Sequence, residues 1–229
     1  MRRFEFIGAC LTATIAVLSG PTHAAVGINF DSLQNNELVN DYYNGGFGSL
    51  GSGPGPNYGV TFANADVLNE DINNEGLLVT APNSITFLSG SGAIMDVATG
   101  FTTGFSFNYS TPFFTGIVTV WSGLDGTGTE LASITLPQTS DGAGHDGCNG
   151  HNYCPLYPIG VTFSGIAKSV NFSGTADYVV YDDITLGSAA PITGGVPEPS
   201  TWAMLVIGFA GVGALTQIRA RRLRAAAPA

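Results

Sequence analysis

The chain has 229 residues, 44% hydrophobic and only 10% charged, with 32 glycines and a net charge of −10. Six of its seven basic residues sit at the two ends, so between residues 25 and 195 Lys168 stands alone against fifteen carboxylates, a net of −14. A surface of that sign repels nucleic acid and anionic lipid and excludes both as partners of this segment. It favours solubility and cations, and the length suits one domain with a good core.

At the N-terminus, Arg2 and Arg3 precede an apolar core from Phe6 to Leu18, and Thr22-His23-Ala24 ends in small residues. This is the pattern of a secretory signal peptide over residues 1–24, cut after Ala24. Cleavage would take Cys10 and His23 with it.

From residue 25 the pattern is strand. Val26-Gly27-Ile28-Asn29-Phe30-Asp31 alternates, as do Phe105–Tyr109, Ile117–Trp121, Ala132–Leu136 and Val170–Ser173, all rich in β-branched or aromatic residues. Further strands are expected at Gly59–Ala63, Leu77–Thr80, Ser84–Ser89, Ile94–Val97, Gly160–Phe163 and Tyr178–Leu186. Glycine, asparagine and proline punctuate them at short intervals, and no window shows an amphipathic helix. The expected fold class is all-β: a jelly-roll-like β-sandwich over residues 25–195.

Three loops invite a chemical reading. Asn44 to Asn57 carries six glycines with Pro54 and Pro56 but no Gly-Lys-Ser/Thr, so it is no phosphate cradle and is expected to be a flexible connection. Tyr42, Tyr43, Phe47 and Tyr58 border it; such rings stack on sugars or pack into a core. Asp71-Ile72-Asn73-Asn74-Glu75-Gly76 resembles the first half of a calcium loop, but its twelfth position is Pro82, which makes it an acidic turn. His145, Cys148, His151 and Cys154 recur every third residue and have the atom types zinc takes. Zinc sites usually draw ligands from separate elements, however. Cys148 and Cys154 are also the only cysteines left after signal cleavage, in an oxidising compartment, so a disulfide is expected. Triad catalysis finds only His145 and His151 to work with, and no spacing brings two carboxylates together across a cleft.

The last segment, residues 196–229, reads Val196-Pro197-Glu198-Pro199-Ser200-Thr201-Trp202, then an uncharged run to Ile218, then Arg219, Arg221, Arg222 and Arg224 in residues 219–229. The run 202–218 is just long enough to cross a hydrocarbon core of about 30 Å as one helix. Trp202 marks one membrane boundary and the arginines the cytoplasmic side. Proline at 197 and 199 keeps that turn extended outside the membrane. Pro197, Glu198, Pro199 and Trp202 resemble the PEP-CTERM sorting signal. That resemblance implies export by a Gram-negative bacterium, inner-membrane anchoring with a periplasmic ectodomain, then processing by an exosortase-type transpeptidase and delivery to the cell surface or beyond.

The ectodomain is similar to recurrent PEP-CTERM ectodomains in Gly27–Asp31, Tyr58–Phe62, Trp121–Thr129 and Tyr181–Gly187, and it resembles carbohydrate-binding-module jelly rolls in opening on Phe-Asp and closing on Asp-Asp-Ile. The second resemblance implies a structural calcium between Asp31 and Asp183, with Asp182 beside them. Together they imply a non-catalytic surface or matrix protein associated with exopolysaccharide. The alternative is a secreted glycoside-active enzyme on the same sandwich.

Overall fold

A computed structural model describes residues 25–69, 83–141, 148 and 152–192. The signal peptide, residues 70–82, most of the cysteine loop and the whole sorting segment lie outside the described residues, and with them the expected strand at 77–80, His145, His151 and the membrane helix. Among the described residues no helix is long and apolar enough to cross a membrane.

Eleven strands are described: β1 (Val26–Ile28), β2 (Val60–Ala63), β3 (Asp66–Asn69), β4 (Asn83–Thr86), β5 (Gly92–Phe101), β6 (Gly104–Ser110), β7 (Gly116–Trp121), β8 (Glu130–Leu136), β9 (Tyr157–Thr162), β10 (Ala167–Ser173) and β11 (Val180–Leu186). They form two antiparallel sheets, ordered β3-β4-β11-β6-β9, with β1 also on β11, and β2-β5-β10-β7-β8. From β4 onward successive strands cross between the sheets, except for the hairpin β7–β8, and the orders β4-β11-β6-β9 and β5-β10-β7-β8 are those of a jelly roll. The β-sandwich read from the sequence is the observed fold. β3 was not expected, because Asp66-Val67-Leu68-Asn69 offers one buried apolar residue, Val67.

Alternation builds the core. Phe105, Phe107 and Tyr109 of β6, with Tyr181 of the adjacent β11, face Val118 and Val120 of β7 and Val170 and Phe172 of β10, all buried. Rings meet edge to face across the sheets, Phe107 with Phe172 at 5.9 Å and Phe172 with Tyr181 at 4.9 Å between centroids. In β11 the pairing with β6 shifts between Asp182 and Thr185. Asp183 is the extra residue, at φ +48°, and this bulge keeps Tyr181 and Ile184 both on the core side although they are three apart.

The excursion from Asp31 to Tyr58 closes one open side of the sandwich. Asn36 and Val39 donate to the carbonyls of Val67 and Ala65, and Phe62 donates to that of Asn40. The segment thus runs along edge strands β3 and β2 and covers groups that would otherwise invite another strand. The glycine-rich loop inside it, expected to be a flexible connection, is instead hydrogen-bonded throughout: Gly45 to Pro56, Gly48 to Ser52 and Gly55 to Gly46. The reason is Glu37, fully buried, whose carboxylate accepts the backbone N–H groups of Gln34 (2.8 Å), Leu50 (2.9 Å) and Ser52 (3.0 Å). Gly48 packs so closely on this carboxyl that a Cβ there would collide with it. Tyr42 and Tyr43 belong to the core, while Phe47 and Tyr58 are exposed.

Burial alone would raise the Glu37 pKa; hydrogen bonds from Ser52, Gln34 and Leu50 outweigh it and hold the group below its ordinary value of 4.5. Its contribution is therefore complete above pH 4.5 and is lost as pH falls through the lowered folded-state pKa. Glu37→Gln is expected to cost about 2 kcal/mol near neutrality, the scale of charge-assisted bonds to a buried group. Urea denaturation of both proteins at about pH 7 and about pH 3 checks this: the gap should narrow in acid. A gap that stays constant would mean that the carboxylate charge is not what holds the loop.

Candidate functional site

The strand register sorts the loops into two poles. One pole carries residues 111–115 between β6 and β7, the β8–β9 connection with its cysteines, and residues 174–179 between β10 and β11. Phe113, Phe114 and Tyr178 meet there with 40%, 44% and 40% of their surfaces exposed, so ring area that normally goes into a core faces solvent. Tyr178 stands at 87° to Phe113, with centroids 5.8 Å apart, and at 84° to Phe114, at 5.0 Å. Tyr153, half-buried, meets the far side of Phe113 at 6.4 Å. The rings form a corner, not a flat strip.

Their backbones are fixed from below. The Thr111 hydroxyl points at the carbonyls of Phe114 (2.7 Å) and Tyr178 (3.1 Å), and the Gln138 amide donates to the carbonyl of Phe113. The Tyr153 hydroxyl donates to the Asp177 carbonyl (2.8 Å), whose own N–H bonds to Phe87. Cys148 and Cys154 are joined in a disulfide, with Cα atoms 5.4 Å apart. Both are buried, with Leu156 packed on them in a small cluster separate from the main core. The disulfide expected from the sequence is present, so these two sulfurs are not thiolate ligands for zinc. No spacing in the sequence pointed to the aromatic corner. Its one local signal is Pro112-Phe113-Phe114, an apolar run in a loop with no strand to bury it.

Of the two aspartates expected to meet at a cation, Asp183 sits in the β11 bulge beside Asn108 of β6. Asp182 pairs with Asn108 across β6, and Asn108 donates its amide to Asp183 at 2.9 Å. The Asp182 carboxylate accepts the N–H of Asp183 at 2.7 Å. Asp31 follows β1, which runs beside the end of β11. Its Oδ1 is buried without a hydrogen-bond partner. Desolvation raises its pKa, partly offset by a backbone hydrogen bond from Asn83. Asp182 and Asp31 both lie close enough to Tyr43 to help push that phenol up, after burial and Tyr42. Among the described residues no three His, Cys, Asp or Glu side chains form a metal-binding group. A cation here would therefore need the carboxylates of Asp31 and Asp183 together with neutral oxygens.

The outer face of the other sheet carries Trp121, half-buried, its indole N–H on Thr119 at 2.8 Å. The Ser122–Thr129 loop folds over that face: Asp125 donates to Asp96 at 2.8 Å and Gly126 to Ser169 at 2.9 Å. At the pole opposite the aromatic corner, Ser188–Ile192 turns back over the sheet. Ala189 lies against Gly104 and Gly160, Ile192 packs on Gly27, and the Ile192 N–H bonds to Thr185 at 3.1 Å.

The fold and the C-terminal segment define an all-β domain joined to a sorting segment. Residues 195–222 match the PEP-CTERM protein-sorting motif, the tail read from Pro197, Glu198, Pro199 and Trp202, and that motif marks an exported protein. No curated protein matches the chain. Among solved structures it is similar to the C-terminal family 6 carbohydrate-binding module of a laminarinase from Zobellia galactanivorans, at 8% identity and a TM-score of 0.33, covering 55% of this chain and 89% of that one. A family 35 carbohydrate-binding module from Paenibacillus barcinonensis gives 14%, 0.33, 56% and 92%. A family 43 arabinoxylan arabinofuranohydrolase from Bacillus subtilis gives 19%, 0.33 and 55%, with only 25% of that longer chain covered. Overlap of this degree says nothing of ligand or activity; the jelly-roll assignment rests on the strand order.

Proposed function

We propose that this is a non-catalytic surface or extracellular-matrix protein, sorted by an exosortase, that holds exopolysaccharide at its aromatic pole. The observation that carries the binding half is the exposed corner of Phe113, Phe114 and Tyr178 on a backbone pinned by Thr111, Gln138 and Tyr153. Aromatic faces stack on the apolar faces of sugars and lose little entropy doing so. The sorting half rests on the motif at 195–222. The strap Ser188–Ile192 ends just before it on the other half of the sandwich, so the anchored form would hold the aromatic pole away from the membrane.

A second reading has one observation in its favour. Asp31, whose pKa is raised by desolvation, has the property a general acid in glycoside hydrolysis needs. The same buried oxygen equally suits a structural calcium held by Asp31 and Asp183, as the oxygen-only donor set allows. Bound there, the ion would supply positive charge to the Asp31 and Asp183 carboxylates and tie the segment after the first strand to the last strand.

Three outcomes are expected. Alanine at Pro197, Glu198 and Pro199 together should retain the protein in the inner membrane of a host with an exosortase, followed by fractionation; unchanged release would reduce the tail to an anchor.

Phe113→Ala with Tyr178→Ala should abolish retardation of the protein in gels containing soluble polysaccharide, with the melting temperature unchanged. Reducing-sugar release that disappears in Asp31→Asn would favour the enzyme instead.

Chelation should lower the melting temperature, and Asp183→Ala should remove most of that sensitivity. Free calcium at ~100 Kd is worth about 2.7 kcal/mol to a protein that binds it only when folded, or roughly 2–4 °C per kcal/mol. Superimposable scans in EDTA and in calcium would leave no structural site.

A further inference from the structure

We infer that the aromatic pole takes a single soluble glycan chain that bears neither carboxylate nor sulfate groups. This rests on reading that pole as the glycan-holding surface, and it specifies which glycans qualify. Two independent observations point there, one of shape and one of charge.

The shape is the corner. Phe113 and Phe114 both stand nearly perpendicular to Tyr178. A crystalline polysaccharide presents a plane of stacked rings and is matched by coplanar aromatics spaced along a flat face. Rings at right angles offer two walls, which suit one chain lying in the angle between them.

The charge is the field around that corner. Asp177 is exposed and immediately precedes Tyr178, and Asp141 is exposed on the neighbouring β8–β9 connection. Between residues 25 and 195 the only lysine or arginine is Lys168. It lies on β10 beside Ala167, which pairs with Phe101, at the end of the sandwich away from the corner. Recognition of uronates and sulfates runs through arginine and lysine, and the pole has none. With a screening length of about 10 Å at 0.1 M salt, the Asp177 carboxylate acts directly on whatever stacks on Tyr178. A polyanion meets repulsion and finds no compensating donor; a neutral chain meets neither.

The test is affinity electrophoresis of the full-length protein in detergent at about pH 8, in ~20 mM and again in ~200 mM salt. The gels contain matched pairs: hydroxyethyl cellulose and carboxymethyl cellulose, dextran and dextran sulfate, galactomannan and its C6-carboxylated derivative. Microcrystalline cellulose is tested alongside by co-sedimentation. At least one neutral polymer should retard the protein, with little dependence on salt, and its charged counterpart should bind at least tenfold more weakly. Phe113→Ala and Tyr178→Ala should each remove the retardation while circular dichroism and melting temperature stay as in the parent. Equal or tighter binding to a charged member, or co-sedimentation with crystalline cellulose without binding of any soluble chain, would overturn the inference and leave glycan binding standing. No interaction with any of the seven materials would overturn both.

Discussion

The last strand of the domain occupies the middle of its sheet. β11 is held by β6 on one side and by β1 and β4 on the other, and Tyr181 fills the space between Phe107 and Phe172 of the two sheets. Until residues 180–186 are in place, the six-stranded sheet is three separate pieces, β3-β4, β6-β9 and β1 alone, and the aromatic core has a hole at its centre. The domain therefore closes only when nearly all of it is available, which suits a chain that crosses a membrane unfolded and folds afterwards. Pairing of this kind is non-local and correspondingly slow. The bulge at Asp183 belongs to the same constraint. Without the extra residue, Ile184 and Leu186 would rotate out of the core and Thr185 into it.

Because β1 and β11 pair along the sandwich, the strap that leads to the sorting segment and the aromatic corner lie at opposite poles. One half carries the strap Ser188–Ile192 that leads to the sorting segment, with Ala189 seated on Gly104 and Gly160. The other carries the cysteine bridge and the aromatic corner. Glu37 performs a third, purely structural task by folding the glycine-rich loop over the edges of β2 and β3. An acidic domain with a single lysine cannot recruit anionic partners by charge. The exposed rings of Phe113, Phe114 and Tyr178 are the feature on which the proposed glycan binding rests.

How much of this was legible follows from the range of each interaction. Alternation is local, so β6, β7 and β10 could be read directly from Phe105–Tyr109, Ile117–Trp121 and Val170–Ser173. β3 could not, because Asp66 and Asn69 flank only Val67 and Leu68 and the strand exists through its partner β4. The disulfide followed from counting cysteines in an exported chain. Glu37 was invisible: a lone glutamate in a polar stretch gives no sign that Leu50 and Ser52 will fold back on it. The aromatic corner was missed for the same reason. Phe113 and Tyr178 come from loops separated by several strands, and only the register of β6 with β11 brings them together. Asp31 and Asp183 were singled out by resemblance, and the geometry adds what the sequence lacked, an orphaned carboxylate oxygen on Asp31.

The central claim is that the aromatic pole is where this protein meets its ligand. Hydrogen exchange measured on the exported, processed protein, with and without a saturating neutral polysaccharide that it binds, addresses this most directly. Protection is expected in residues 111–115, 152–156 and 174–179, with the sheet faces around Trp121 and Asp182 unchanged. Protection centred on Trp121, or on Asp31 and Asp182, with the three loops unaffected, would contradict it.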